Sequence, residues 1–133
     1  IMSYGKFDLV HFNNGLHGWE YTEDEYDAAF PDMIKAIRKN APNAKLIWAT
    51  TTPIRTGKYC ERLEERVARI VTRNEIAQKH ISKAKDIKTN DLFNLILDHP
   101  EYFIGGDGVH PIDKGYQVLA EQVAKKILES LSE

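Results

Sequence analysis

FDLVHFNNGLHGW, residues 7–19, joins a short apolar run to a polar loop that contains glycine. The first half, 7–12, is rich in the β-branched and aromatic residues that favour a strand. KLIWATT at 45–51 predicts a second strand, and DIKTNDLF at 86–93 predicts a weaker third one. Helical patterns lie between these runs. Strands that alternate with helices predict an α/β fold, with a parallel sheet and helices on both faces.

Three helices are predicted from apolar residues that recur every three or four positions. They cover 22–40, 58–81 and a stretch from about Asp113 to Leu131. Thr22 and Glu25 fit a capping box at the start of the first helix, and Pro31 inside it predicts a kink or a restarted helix. The second helix has one continuous face, on which residues recur by three and four without a break: Cys60, Leu63, Val67, Ile70, Asn74, Ala77 and Ile81.

The composition is that of a single globular domain, which we assign to residues 1–133. Hydrophobic residues make up 42% and charged residues 29%, and the net charge is −2. This balance gives no broad positive field, so we expect no nucleic-acid partner and no attraction to an anionic membrane. No apolar run is long enough to span a bilayer. The single cysteine, Cys60, excludes an internal disulfide. The sequence predicts no compartment, and secretion or a periplasmic location is compatible with it.

GGDGVHP, residues 105–111, places Asp107 three residues before His110 on a glycine-rich loop. A histidine works as a general base when a carboxylate holds its other ring nitrogen and fixes its tautomer. Gly108 would let this loop turn tightly, and Pro111 favours an extended backbone at His110. The alternative is an aspartate that caps the last helix beside a surface histidine.

Two further polar loops follow the first and second strands. Asn14, Gly15 and His17 come after the first strand and offer amide, imidazole and backbone N–H donors, which an oxyanion hole requires. The alternative is a simple turn, because asparagine and glycine favour turns. Arg55 in the second loop is either a substrate contact or a solvated loop arginine. Parallel strands end at one edge of the sheet, so we expect all three loops to converge there.

Together these residues resemble the SGNH or GDSL hydrolase family. The resemblance implies a flavodoxin-like three-layer α/β sandwich, in which Asp107 and His110 match the last family block, Asp-x-x-His. The third block, Gly-x-Asn-Asp, falls on residues 15–18. His17 therefore stands where the family usually has its oxyanion-hole asparagine, and Asn14 is the second candidate donor.

The family's Gly-Asp-Ser block, which carries the nucleophile, is not in the sequence. The serines are Ser3, Ser82, Ser130 and Ser132, and none has a predicted setting that suits a nucleophile. The resemblance therefore implies a nucleophile that precedes Ile1. We expect the chain to lack its N-terminal segment, and either that segment or a second polypeptide to pair with the strand at 7–12.

The resemblance implies ester hydrolysis through an acyl-enzyme, without a cofactor or a metal ion. The polar loops and their aromatic residues favour a small ester, with an acylated sugar preferred over a long lipid. One alternative is a non-catalytic carbohydrate-binding module of the same fold. A second is a flavodoxin-like domain that binds a phosphate-bearing ligand or acts in signalling, but no glycine-rich phosphate loop opens a helix in this sequence.

Overall fold

A computed structural model describes residues 6–57 and 63–133. Its three strands are β1 (Leu9–Phe12), β2 (Lys45–Ala49) and β3 (Ile87–Asn90). All neighbouring strands are parallel, in the order β1-β2-β3. Helices connect the strands, so the predicted α/β fold with a parallel sheet is confirmed.

The helices are α1 (Glu23–Asn40), α2 (Leu63–Lys83), α3 (Leu92–Leu97), a 3₁₀ helix (Pro100–Phe103) and α4 (Asp113–Leu131). The three predicted helices are confirmed, although the start of the second prediction, with Cys60, lies outside the described residues. The third predicted strand is confirmed, and β3 occupies residues 87–90 of the stretch 86–93. Asp91 ends the strand because its carboxylate accepts the Asn94 N–H (3.1 Å) and so caps α3.

Helix α1 begins at the predicted capping box. The Glu25 N–H donates to the Thr22 hydroxyl (3.2 Å), and the Thr22 N–H donates to the Glu25 carboxylate (2.8 Å). The prediction of a restarted helix at Pro31 was wrong, because α1 is a single helix that continues on both sides of the proline. Proline removes one helical hydrogen bond, but the burial of Phe30 and Ile37 on the same helix outweighs this loss.

The sheet lies between two helical layers, and β2 is its buried centre. Leu46 and Trp48 pack against α1 and α2 in the main apolar cluster. Ile47 points to the opposite face, since side chains alternate along a strand, and α4 contacts β1 and β2 there. This arrangement confirms the three-layer sandwich. No helix in the described ranges is both long and apolar enough to cross a membrane.

Strand β1 is less buried than β2. All four of its residues are partly exposed, whereas residues 46–49 of β2 are buried. Within the described part of the chain, β1 pairs with β2 and its other edge carries no strand. An edge with free backbone groups and half-buried apolar side chains is a template for pairing with a further strand.

The capping box can be tested by Thr22→Ala. Removing the hydroxyl leaves the Glu25 N–H without its acceptor, so we expect the free energy of unfolding to fall by about 1 kcal/mol. The measurement is urea unfolding of the variant and the parent. Thr72→Ala is the matched control, because Thr72 is exposed on α2 and should change stability by no more than about 0.5 kcal/mol. Equal stability of the two variants would contradict the assignment.

Candidate active site

The three polar loops meet at the carboxyl edge of the sheet, as predicted. A Cβ atom added to Gly15 would lie 1.7 Å from the Thr51 hydroxyl, so the loops after β1 and β2 approach too closely for a side chain there. The loop after β2 also contacts the 105–111 loop. The Arg55 N–H donates to the Gly108 carbonyl (2.7 Å), and a Cβ atom on Gly57 would lie 2.4 Å from the Asp107 backbone.

Asp107 and His110 form the predicted pair. His110 Nδ1 lies 2.6 Å from one carboxylate oxygen of Asp107, Oδ2. The other oxygen, Oδ1, accepts the backbone N–H of Val109 (2.9 Å) and of His110 (2.8 Å). Gly108 adopts a positive φ of 83°, which lets the chain fold back over the carboxylate. Asp107 therefore fixes both the backbone turn and the imidazole that the turn presents.

These hydrogen bonds set the charge of the pair. The backbone N–H of His110, then its imidazole and the backbone N–H of Val109, lower the pKa of Asp107 from 3.8 to about 2. The carboxylate is therefore ionised near neutral pH and can stabilise an imidazolium. The His110 side chain is 67% exposed. With Nδ1 held by Asp107, Nε2 is the nitrogen that can exchange a proton with a reacting group.

His17 and His110 line the same cavity, which has a volume of about 560 Å³. The loop after β1 forms one wall of the cavity, and the loops after β2 and before α4 form another. The lining residues are Leu16, His17, Gly18, Trp19, Glu20, Ile54, Arg66, Val109 and His110. The structure thus brings together three of the predicted site residues: His17 shares a cavity with the Asp107–His110 pair.

Asn14 and Arg55 do not line this cavity. The Asn14 amide lies 3.7 Å from Met33 Sδ, on the side of the loop that faces α1. The Arg55 guanidinium donates to the Leu97 carbonyl and lies 5.8 Å from the Phe103 ring. Their roles in binding oxyanion and substrate therefore stay predictions, and so does a donor role for Gly15. In the structure, Gly15 packs against Thr51 and the Arg55 N–H donates to the Gly108 carbonyl, so both residues connect neighbouring loops.

An arginine row on α2 was not predicted. Arg66, Arg69 and Arg73 each place the guanidinium carbon within 5.3–5.6 Å of the Trp19 ring. Arg69 donates to the Trp19 carbonyl (2.7 Å) and to the Glu23 carboxylate (2.6 Å). The spacing of three and four would have put these arginines on one helix face, but such a row usually indicates a solvated surface.

No serine that the structure describes lines the cavity with His110. Ser82 lies on α2 and accepts a hydrogen bond from Gln78 (3.1 Å), and Ser130 is buried in α4. The Ser132 hydroxyl donates to the Glu129 carbonyl (2.9 Å) at the end of α4. Ser3 lies outside the described residues. Residues 6–57 and 63–133 also contain no group of three or more histidine, cysteine or acidic side chains that could hold a metal ion.

The chain is similar to known proteins in sequence and in structure. The family model described as GDSL-like Lipase/Acylhydrolase matches residues 1–123. Among solved structures, a GDSL-like lipase from Bacteroides thetaiotaomicron superposes with a TM-score of 0.72 at 21% identity, covering 92% of this chain. The esterase domain of the ORF1 protein of the zebrafish ZfL2-1 retrotransposon superposes with a TM-score of 0.70 at 22% identity, covering 82%.

This chain spans less than two thirds of those two proteins: 63% of the Bacteroides chain and 61% of the zebrafish retrotransposon chain. At such identities the likeness shows the fold alone. The matched structures therefore confirm the predicted sandwich. No curated protein sequence matches the chain.

The titration of Asp107 tests the geometry of the pair. Because its folded pKa is lowered, the carboxylate contributes stability above the ordinary aspartate pKa, and this contribution is lost as the pH falls toward about 2. We expect the Asp107 side-chain carboxyl ¹³C resonance to titrate with a midpoint of about 2. His110→Ala should raise that midpoint, because the imidazole hydrogen bond is lost.

His99→Ala is the control, because His99 Nδ1 also lies 2.8 Å from a carboxylate oxygen, that of Glu101. This substitution should leave the Asp107 titration unchanged. A midpoint at the ordinary aspartate value in the parent, or equal effects of the two substitutions, would contradict the described pair.

Proposed function

The chain belongs to the GDSL-like lipase/acylhydrolase family, and from this membership we propose that it forms the acid–base part of a serine esterase. The observation that carries the proposal is the Asp107–His110 pair at the cavity, with Nδ1 2.6 Å from the carboxylate. A buried or hydrogen-bonded carboxylate behind a solvent-facing imidazole is the arrangement that activates a hydroxyl nucleophile.

In the proposed reaction a serine hydroxyl attacks the ester carbonyl while His110 Nε2 takes its proton. The bond to the alcohol then breaks, and His110 returns the proton to the leaving alkoxide. Water, deprotonated by the same imidazole, attacks the acyl-enzyme. The bond between the acyl carbon and the serine oxygen breaks, His110 returns the proton to that oxygen, and the acid is released. Asp107 orients His110 and stabilises the imidazolium at both stages. His17 is the proposed side-chain donor to the oxyanion, because it lines the cavity; Asn14 is the second candidate.

We place the serine in a segment that precedes Ile1 or in a second polypeptide. Two observations support this proposal. The described serines do not line the cavity, and β1 has a strand on one edge within the described part of the chain. A segment that pairs with the other edge of β1 would end its strand at the carboxyl edge of the sheet, beside His110, because parallel strands end together there.

The proposed substrate is a small ester whose alcohol part is polyhydroxylated, such as an acylated sugar. Its support is the mixed lining of the cavity, which includes the aromatic Trp19 and the polar residues His17 and Glu20. Such a lining combines stacking with a few placed hydrogen bonds. A long acyl chain would instead require a continuous apolar channel.

A second candidate function is carbohydrate binding without catalysis. One observation favours it: no serine that the structure describes lines the cavity with His110. The two functions predict different responses to His110 substitution, since binding does not need a general base.

His110→Ala in the complete protein tests the esterase proposal. Loss of the general base should lower kcat on p-nitrophenyl acetate by about 10²–10⁴-fold. His99→Ala is the matched control, because His99 also pairs with a carboxylate but does not line the cavity, and it should retain the parent kcat. Near-parental turnover by His110→Ala would overturn the assignment of the base. If the complete parent protein hydrolysed no ester, the esterase function would be excluded and carbohydrate binding without catalysis would be favoured.

A further inference from the structure

Arg73 is a buried cation that holds the wall of the cavity opposite His110. Its side chain is 1% exposed. It donates to the carbonyls of Gly18 (3.0 Å) and Tyr21 (2.8 Å), and more weakly to the His17 carbonyl (3.4 Å). Glu23 lies 3.3 Å away and balances the charge.

A contribution to the free energy of unfolding does not by itself explain why an arginine is buried at this position. Removing a guanidinium from water carries a large desolvation penalty, and well-packed apolar residues often give equal or greater stability at such a position. What an arginine adds is direction, because its planar donors orient each carbonyl that they contact. The structure assigns this effect to the short loop that contains His17, Gly18 and Trp19.

The orientation of the carbonyls fixes the orientation of the N–H groups. Every described peptide bond is trans, so the C=O and N–H of one peptide unit point in opposite directions. Since the carbonyls of His17 and Gly18 point at Arg73, the N–H groups of Gly18 and Trp19 point away from it. Among the described residues, neither N–H has a hydrogen-bond acceptor.

Two cavities adjoin this loop, and Gly18 lines both of them. Arg73 lines one of about 570 Å³, together with Tyr26 and Ala29. The other is the cavity of His110, which Gly18 and Trp19 line and Arg73 does not. Gly18 has a φ of 80°, and its carbonyl also accepts the Tyr21 N–H (3.2 Å), so a tight turn holds the loop in place.

We propose that Arg73 is a positioning residue that presents the N–H groups of Gly18 and Trp19 to the His110 cavity as an anion-binding pair. The inference rests on the proposed function and extends it. The negative oxygen of the tetrahedral intermediate would accept these two backbone hydrogen bonds, in addition to any side-chain donor. The turn and the buried arginine hold the donors in position before the substrate binds.

The test is an amide NMR spectrum of the complete protein before and after phosphonylation of its serine by a fluorophosphonate, which leaves a stable tetrahedral oxyanion mimic. We expect the amide protons of Gly18 and Trp19 to move downfield, because a hydrogen bond to the strongly polarised phosphoryl oxygen deshields them. This measurement needs no variant.

The substitution Arg73→Lys provides a second, independent test. It keeps the charge but loses the planar fork, so the downfield shift should shrink and kcat on p-nitrophenyl acetate should fall by about 10²-fold with little change in KM. Arg38→Lys is the matched control, because Arg38 also donates to a backbone carbonyl, that of Ala44 (2.9 Å), and to a carboxylate. It should keep the parent kcat.

Three results would overturn the inference. Phosphonylation without movement of the Gly18 and Trp19 amide protons would overturn it and leave the esterase function intact. Equal losses of kcat in Arg73→Lys and Arg38→Lys would show an effect of stability alone. Failure of the complete parent protein to be phosphonylated would overturn the serine esterase function and this inference together.

Discussion

Contact between loops at the carboxyl edge of the sheet is the constraint on which this site depends. The parallel strands deliver the loops after β1 and β2 to one edge, and Gly15 and Gly57 let those loops touch their neighbours without an intervening side chain. Gly57 packs directly on the Asp107 backbone. A side chain at either glycine would separate the walls of the cavity. The geometry of the site therefore depends on close packing of the loop backbones.

The two described walls of the cavity are stiffened by opposite charges. On one wall, the Asp107 carboxylate accepts two backbone N–H groups and the imidazole of His110. On the other, the Arg73 guanidinium donates to backbone carbonyls of the loop that carries His17. Each charge is satisfied largely by backbone groups, which hold position better than long side chains do. The wall that would carry a nucleophile is the part of the site that the described residues do not supply.

Much of the fold and of the candidate site could be predicted from the sequence, because the residues that form these features lie close together in the chain. The Asp107–His110 pair depends on a spacing of three residues in a glycine turn, and the α1 cap depends on Thr22 and Glu25. The role of Arg73 could not be predicted, since its partners lie 50–56 residues away in the chain. Helix α3 has only six residues, which is too short for a periodic pattern. The continuity of α1 through Pro31 depends on tertiary packing.

We propose that Asp107 and His110 serve a serine that is none of the four in this sequence. The most direct measurement is fluorophosphonate labelling of protein purified from its native source, followed by intact-mass analysis and mapping of the labelled peptide. We expect a label on a serine in another segment or in a companion chain, with labelling lost in His110→Ala. A label on Ser3, Ser82, Ser130 or Ser132, or no labelled serine at all, would contradict it.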